Sequence, residues 1–147
     1  MPPEKIATPE LQTLIDDMIE TMYAANGIGL AGPQIGVSER IIIAETGGRG
    51  GEHKPLALVN PEILKTSWRK VKSEEGCLSI PGVYGIVVRS RGVRARALDR
   101  EGKLLTIKNS DLLAIILQHE IDHLNGVLFT DKAEKVMPIA DRAQPKI

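Results

Sequence analysis

The sequence predicts an α+β fold in which mixed or antiparallel strands pack around a central buried helix. Three observations lead there. At 147 residues, 42% of them hydrophobic, the chain has the length and apolar content of a single globular domain spanning residues 1–147. Two segments, one near each end, carry helical patterning. Between them runs a series of short β-like stretches separated by turn residues.

The first helix starts at Thr8-Pro9-Glu10, which supplies a capping hydroxyl, a proline at the first helical position and an acid in the first turn. Leu11, Leu14, Ile15, Met18, Ile19 and Met22 then form one stripe, with Asp16, Asp17 and Glu20 off it, and the helix should stop near Asn26-Gly27. Few residues precede it, so an edge of the core is expected to be short of cover. Gly27 to Gly36 holds four glycines and a proline and reads as a tightly specified loop. Strands are expected at Arg40 to Glu45, Leu56 to Asn60, Ser67 to Lys72, Gly85 to Arg89, Val93 to Leu98 and Lys103 to Lys108. A surface loop, Gly47 to Lys54, should leave His53 solvated, and Asp99 to Gly102 should turn the chain between the last two strands. The second helix is expected to be capped by Asn109 or Ser110, with Asp111 in its first turn, and to stop at Asn125-Gly126. Leu112, Leu113, Ile115, Ile116 and Leu117 cover most of its circumference, which calls for burial on several sides.

Composition excludes several functions. Lys plus Arg equals Asp plus Glu, so no global field draws in a phosphate backbone or an anionic membrane. Aromatics are 3%, too few for extended base-stacking platforms, and no nucleic-acid specificity is expected. No apolar run approaches the roughly 20 residues of a bilayer crossing and no secretory leader is evident, so a cytoplasmic location without membrane association is expected. The single cysteine, Cys77, has no partner for an internal disulfide.

Chemistry concentrates on the second helix, at His119-Glu120-Ile121-Asp122-His123. Histidines four apart share a helix face one turn from each other and can ligate one metal. Glu120 lies beside that face, where it can take a proton from an activated water without ligating. Two of the three histidines in the chain stand here, after an apolar run that would bury them, and burial of an unpaired imidazole is costly. A third donor is required. The position that would carry a third histidine in an extended zinc-peptidase motif is Phe129, which cannot bind a metal, and no later helix offers a glutamate. The donor should come from upstream, and Cys77, within Glu74 to Gly82, is the candidate thiolate. Use of Cys77 as a nucleophile with a histidine is the competing reading, but it leaves Glu120 and one histidine without a role. Gln34, closing the glycine loop, can donate an amide N–H to a carbonyl oxygen that gains negative charge.

Taken in order, three segments resemble the signature motifs of the peptide deformylase family. They are Gly27 to Gln34, Glu75 to Ser79 and Gln118 to His123, and the similarity runs from about Leu11 to Phe129. The resemblance implies a metal-dependent hydrolase that removes the N-formyl group from the N-terminal formylmethionine of nascent polypeptides. It implies Cys77, His119 and His123 as metal ligands, Glu120 as general base and acid, and Gln34 with the backbone N–H of Leu78 as oxyanion donors. Ile28, Gly29 and Gly76 would bond the substrate backbone, while Ile80, Tyr84, Ile115 and Ile116 would surround the methionine side chain. Arg89 and Asp122 would form a structural ion pair. The implied cofactor is one divalent ion, Fe²⁺ in the cell, replaceable by Zn²⁺, Ni²⁺ or Co²⁺. The implied partners are the N-formylmethionyl peptide and, transiently, the ribosome. The tail from Asp131 lacks a long basic helix, so ribosome docking by that route is not expected. Gly32 replaces an alanine of the first motif, which should loosen the loop without removing a chemical group. A different metallo-amidase and a catalytically idle binding protein are the other two classes that the motifs leave open.

Overall fold

The computed structural model describes residues 3–48, 51–77 and 79–139. After a 3₁₀ turn at Pro3–Lys5 comes α1, Pro9–Ala24. Thr8 caps it as expected, its side chain accepting from the Leu11 N–H at 3.3 Å. Strands follow as β1 (Gly29–Ala31), β2 (Ile41–Glu45), β3 (Pro55–Thr66), β4 (Lys70–Cys77), β5 (Ile80–Ser90), β6 (Gly92–Leu98) and β7 (Leu104–Ser110). The chain then forms α2 (Leu112–Leu124), a single turn α3 (Phe129–Lys132) and β8 (Ala133–Pro138).

Every strand pair is antiparallel, in a five-stranded sheet ordered β1-β2-β3-β6-β7 and a three-stranded sheet ordered β4-β5-β8. The two helices take opposite faces of the larger sheet. Leu11, Ile15, Met18 and Met22 of α1 pack on Leu30, Ile41, Ile43 and Val59, and buried Ile6 fills the end of this layer. Ala114, Leu117 and Ile121 of α2 pack on Ala31, Ile42, Leu58, Val93 and Ala97. A strand covered on both faces must be apolar throughout, and Ile41, Ile42, Ile43 and Ala44 of β2 are all fully buried. Helix α2 touches strands of both sheets, with β1, β2 and β7 on one side and β5 on the other.

Several expectations change. Part of the predicted glycine loop is strand: Gly29, Leu30 and Ala31 pair with Ala44, Ile43 and Ile42, and Gly32–Ile35 form a 3₁₀ turn. Neither Asn109 nor Ser110 caps α2. Both stay in the β7 ladder opposite Val93 and Gly92, and the Asp111 N–H extends that pairing by donating to Arg91 O at 2.9 Å. Asp111 therefore becomes the cap, at φ 63°, with no side-chain capping bond. The Ser67 to Lys72 strand begins only at Lys70, because Ser67–Arg69 make the turn between β3 and β4. Strand β8 was hidden by its weak periodicity: it is an edge strand with mostly exposed residues, paired only to β5. His53 is mostly exposed, yet its Nδ1 lies 3.4 Å from Glu45 Oε1 and its ring 4.3 Å from that of Tyr23.

Candidate metal centre

Helix α2 presents His119 and His123 one turn apart, and their Nε2 atoms converge to 3.2 Å. The end of β4 delivers Cys77, whose Sγ lies 3.3 Å from His123 Nε2. All three side chains are buried, and their donor atoms lie within 4.8 Å of one another. Three soft or borderline donors converging on one point in an apolar interior suit a divalent cation.

Behind the donors runs a chain of ion pairs that sequence reading only partly anticipated. His119 Nδ1 bonds Glu75 Oε1 at 2.8 Å, which leaves Nε2 facing the cluster. Glu75 in turn accepts two bonds from Arg89, at 2.9 and 2.8 Å, and Arg89 Nη1 donates to Asp122 at 2.6 Å. The expected Arg89–Asp122 pair is thus present, and Glu75 is the link that was missed. Its signal was a carboxylate two residues before the cysteine, which spacing alone could not aim at His119. Burial raises the Glu75 carboxyl, but the Arg89 and His119 hydrogen bonds outweigh it and hold the group near 2. Burial also raises the Cys77 thiol, yet bonds with His119 and His123 bring it down to about 5, which favours the thiolate as a ligand.

Glu120 stands apart from this network. Both carboxylate oxygens are buried and, among the described residues, neither has a hydrogen-bond partner; His123 Nε2 is 3.9 Å from Oε1. Burial pushes its carboxyl up to about 7, against the opposing pull of His119 and His123. Space for that carboxylate comes from Gly29, where an added Cβ would fall 2.5 Å from Glu120 Oε2.

Gln34 approaches from the 3₁₀ turn. Its Oε1 accepts from the Ala31 N–H at 2.7 Å, which orients the amide so that Nε2 donates toward Cys77 Sγ and Ser79 Oγ, each at 3.3 Å. Leu78 lies outside the described residues. Gly76 is buried at the end of β4. Ile28, Ile115 and fully buried Ile116 share one cluster with Leu112, while Ile80 packs with Cys77, Val87 and Phe129. Tyr84 is half-buried on β5 and its hydroxyl donates to Met137 Sδ at 3.6 Å. Gln118, which opens the third motif but had no role assigned from sequence, ties α2 to β5 by accepting from Ser90 N at 3.0 Å and donating to Ser90 O at 2.8 Å.

The sequence profile of the polypeptide deformylase family matches residues 1–138. The chain belongs to this family. A peptide deformylase of Desulfitobacterium hafniense is 47% identical over 133 residues, which is 90% of this chain and 85% of that protein. The crystal structure of an Acinetobacter baumannii class I type b peptide deformylase superposes with a TM-score of 0.85 at 37% identity, covering 90% of this chain and 86% of that one. A peptide deformylase from Synechococcus elongatus, solved in complex with actinonin, superposes at 0.82 with 43% identity over 87% and 70% of the two chains. Family membership and the shared antiparallel α+β architecture make the chain a hydrolase of N-formyl groups.

Proposed function

We propose that the chain works as a single catalytic domain built around α2 as its central helix, removing formyl groups at the Cys77, His119 and His123 cluster. The observation that carries this reading is the convergence of three buried donors beside a buried carboxylate that has no partner among the described residues. The donor set fits a divalent cation: the Cys77 thiol favours its thiolate form, and His119, raised to about 9 by Cys77 and Glu75 against the effect of burial, would exchange its proton for the metal. Cys77, His119 and His123 would hold the ion, Fe²⁺ in the cell by the mixed thiolate and imidazole set, with Zn²⁺, Ni²⁺ or Co²⁺ as substitutes. When bound, such an ion supplies Lewis acidity and brings the pKa of water toward neutrality.

Glu120, poised near neutral pH, takes a proton from the attacking water and returns it to the departing amine, so that formate and a free N-terminal methionine result. The Gln34 amide, fixed by Ala31, donates to the formyl oxygen as it gains charge, with the Leu78 N–H as second donor. Backbone groups of Ile28, Gly29 and Gly76 bind the peptide, and Ile80, Tyr84, Ile115 and Ile116 border the methionine side chain. The substrate is the N-formylmethionyl end of a nascent chain, met in the cytoplasm. Among the described residues no helix is long and apolar enough to cross a membrane.

The test pairs metal analysis with formate release. One bound divalent ion and strong preference for formyl-Met over acetyl-Met peptides are expected. Equal hydrolysis of both would point to a general metallo-amidase, and no hydrolysis with metal bound would point to a binding protein.

A further inference from the structure

The five-stranded sheet carries a row of cations without a carboxylate partner among the described residues. Lys65 on β3 stands directly opposite Arg94 on β6, and Arg94 stands opposite Lys108 on β7; all three are exposed. Val93, Ala97 and Ile107 pack toward α2, so strand alternation turns Arg94 and Lys108 to the other face, and the bulge between Ile63 and Lys65 brings Lys65 to that same face opposite Arg94. One row along, Arg96 also faces β3, but there it meets Glu62 and closes an ion pair at 3.1 Å. Among the described residues no carboxylate pairs with Lys65, Arg94 or Lys108. Adjacent strands sit about 4.8 Å apart, and like charges held opposite at that spacing repel.

The row lines a concavity of about 810 Å³ whose remaining wall includes Thr66, Ser67, Thr106 and Ser110. Next to Ser67 stands Trp68, 86% exposed, with the Arg69 guanidinium 6.0 Å from its ring centroid. Such an indole contributes little burial to its own fold. A cationic row matches successive phosphates, and an adjacent, largely exposed indole matches a base.

We propose that this face docks single-stranded RNA, with phosphates along Lys65, Arg94 and Lys108 and one base stacked on Trp68. An acidic peptide would use the cations but leave the indole idle. An anionic membrane surface calls for a larger basic cluster or an apolar face. Zero net charge confines the attraction to this patch, so docking is independent of base sequence and sensitive to salt. The choice of RNA over DNA rests on the deformylase reading, since a nascent chain is presented alongside RNA.

The experiment titrates the full chain with a labelled oligouridylate of about 12 nucleotides between about 50 and 200 mM salt, following anisotropy and the fluorescence of Trp68, the only tryptophan. Three phosphate contacts predict a log–log salt slope of about −2, reduced by about 0.7 in Arg94→Gln. Trp68→Ala should bind roughly tenfold more weakly at unchanged slope, and the wild-type indole should be quenched. Absence of binding at the lowest salt, or full binding by the Lys65→Gln/Arg94→Gln/Lys108→Gln triple variant, would overturn the proposal. Oligothymidylate should bind comparably, since the contacts are phosphates and one stacked base, and failure to bind it would overturn that contact set; tighter binding of polyglutamate or anionic vesicles would give the face to those partners instead. Formate release from a free formyl-Met peptide, measured on each variant, should match wild type and certify the fold. Loss of that activity in the wild type would count against the deformylase reading and the choice of RNA, leaving the cation row to be judged by the titration alone.

Discussion

Glu120 is a carboxylate in a place that disfavours its charge, and Gly29 is what lets it stay there. Burial without a hydrogen bond among the described residues is costly for an ionised group, so the proton affinity rises toward neutral pH, where proton transfer in both directions is fastest. Glu120→Gln keeps the size of the side chain but cannot accept the proton. Retained metal with formate release reduced by at least ~10² is expected. Near-normal turnover would remove Glu120 from the chemistry, and loss of the metal would make it a ligand. Gly29→Ala tests the same carboxylate from the other side. The new methyl group would sit 2.5 Å from Oε2, and the enclosing core gives Glu120 no easy retreat. Displacement on the ångström scale should cost about 10² in turnover while metal content holds, as read by metal analysis alongside initial rates.

At the scale of elements, the 3₁₀ turn at Gly32–Ile35 decides where Gln34 points, and Gly32 is its tightest position. A Cβ there would meet the Glu39 carbonyl at 2.7 Å and the Val37 carbonyl at 3.1 Å. The glycine thus tightens the turn against the segment before β2, where the sequence alone suggested extra freedom. Restoring the alanine of the family motif, Gly32→Ala, should cost roughly 1–3 kcal/mol in urea unfolding, because backbone rather than a flexible side chain must move. Stability equal to wild type would show that the turn relaxes freely. Asp111 shows a second local conflict resolved by packing. The β7 ladder runs to the residue before α2, so the chain must reverse at Asp111 with a positive φ.

For the whole molecule, acid stability should depend on carboxylates buried away from the reaction. Glu45 closes β2 and accepts from the Tyr23 hydroxyl, from the backbone N–H groups of Gly47 and Lys54 at 2.7 Å each, and lies near His53. Burial raises its proton affinity, but the bonds from Tyr23, Lys54, Gly47 and His53 outweigh that and hold it below the ordinary carboxylate value. A depressed folded pKa gives stability that is complete above the unfolded value, about 4.3, and drains away as the pH falls below it. Urea unfolding between about pH 6 and pH 3 should therefore show wild type losing stability more steeply than Glu45→Gln. Parallel profiles would mean that Glu45 titrates normally in the folded chain.

Sequence alone determined those features whose physics is local. The stripe from Leu11 to Met22 and the Thr8 cap placed α1, and the apolar run ahead of His119 placed α2, because a helix registers its own neighbours at three and four residues. His119 and His123 were legible as a pair for the same reason. Cys77 was legible as their partner only through elimination of later donors and the motif resemblance, and the role of Glu75 behind His119 was not legible at all, since both arrive from β4, more than forty residues away, on a strand whose direction is set by its pairing with β5. Only tertiary structure could turn Gly29 to Ala31 into strand, since three residues inside a glycine-rich segment hold that form by pairing with β2, and only it could show why Gly29 must lack a side chain. The row of Lys65, Arg94 and Lys108 follows the same rule. These residues are remote in sequence and become neighbours solely through cross-strand register, which no local periodicity encodes.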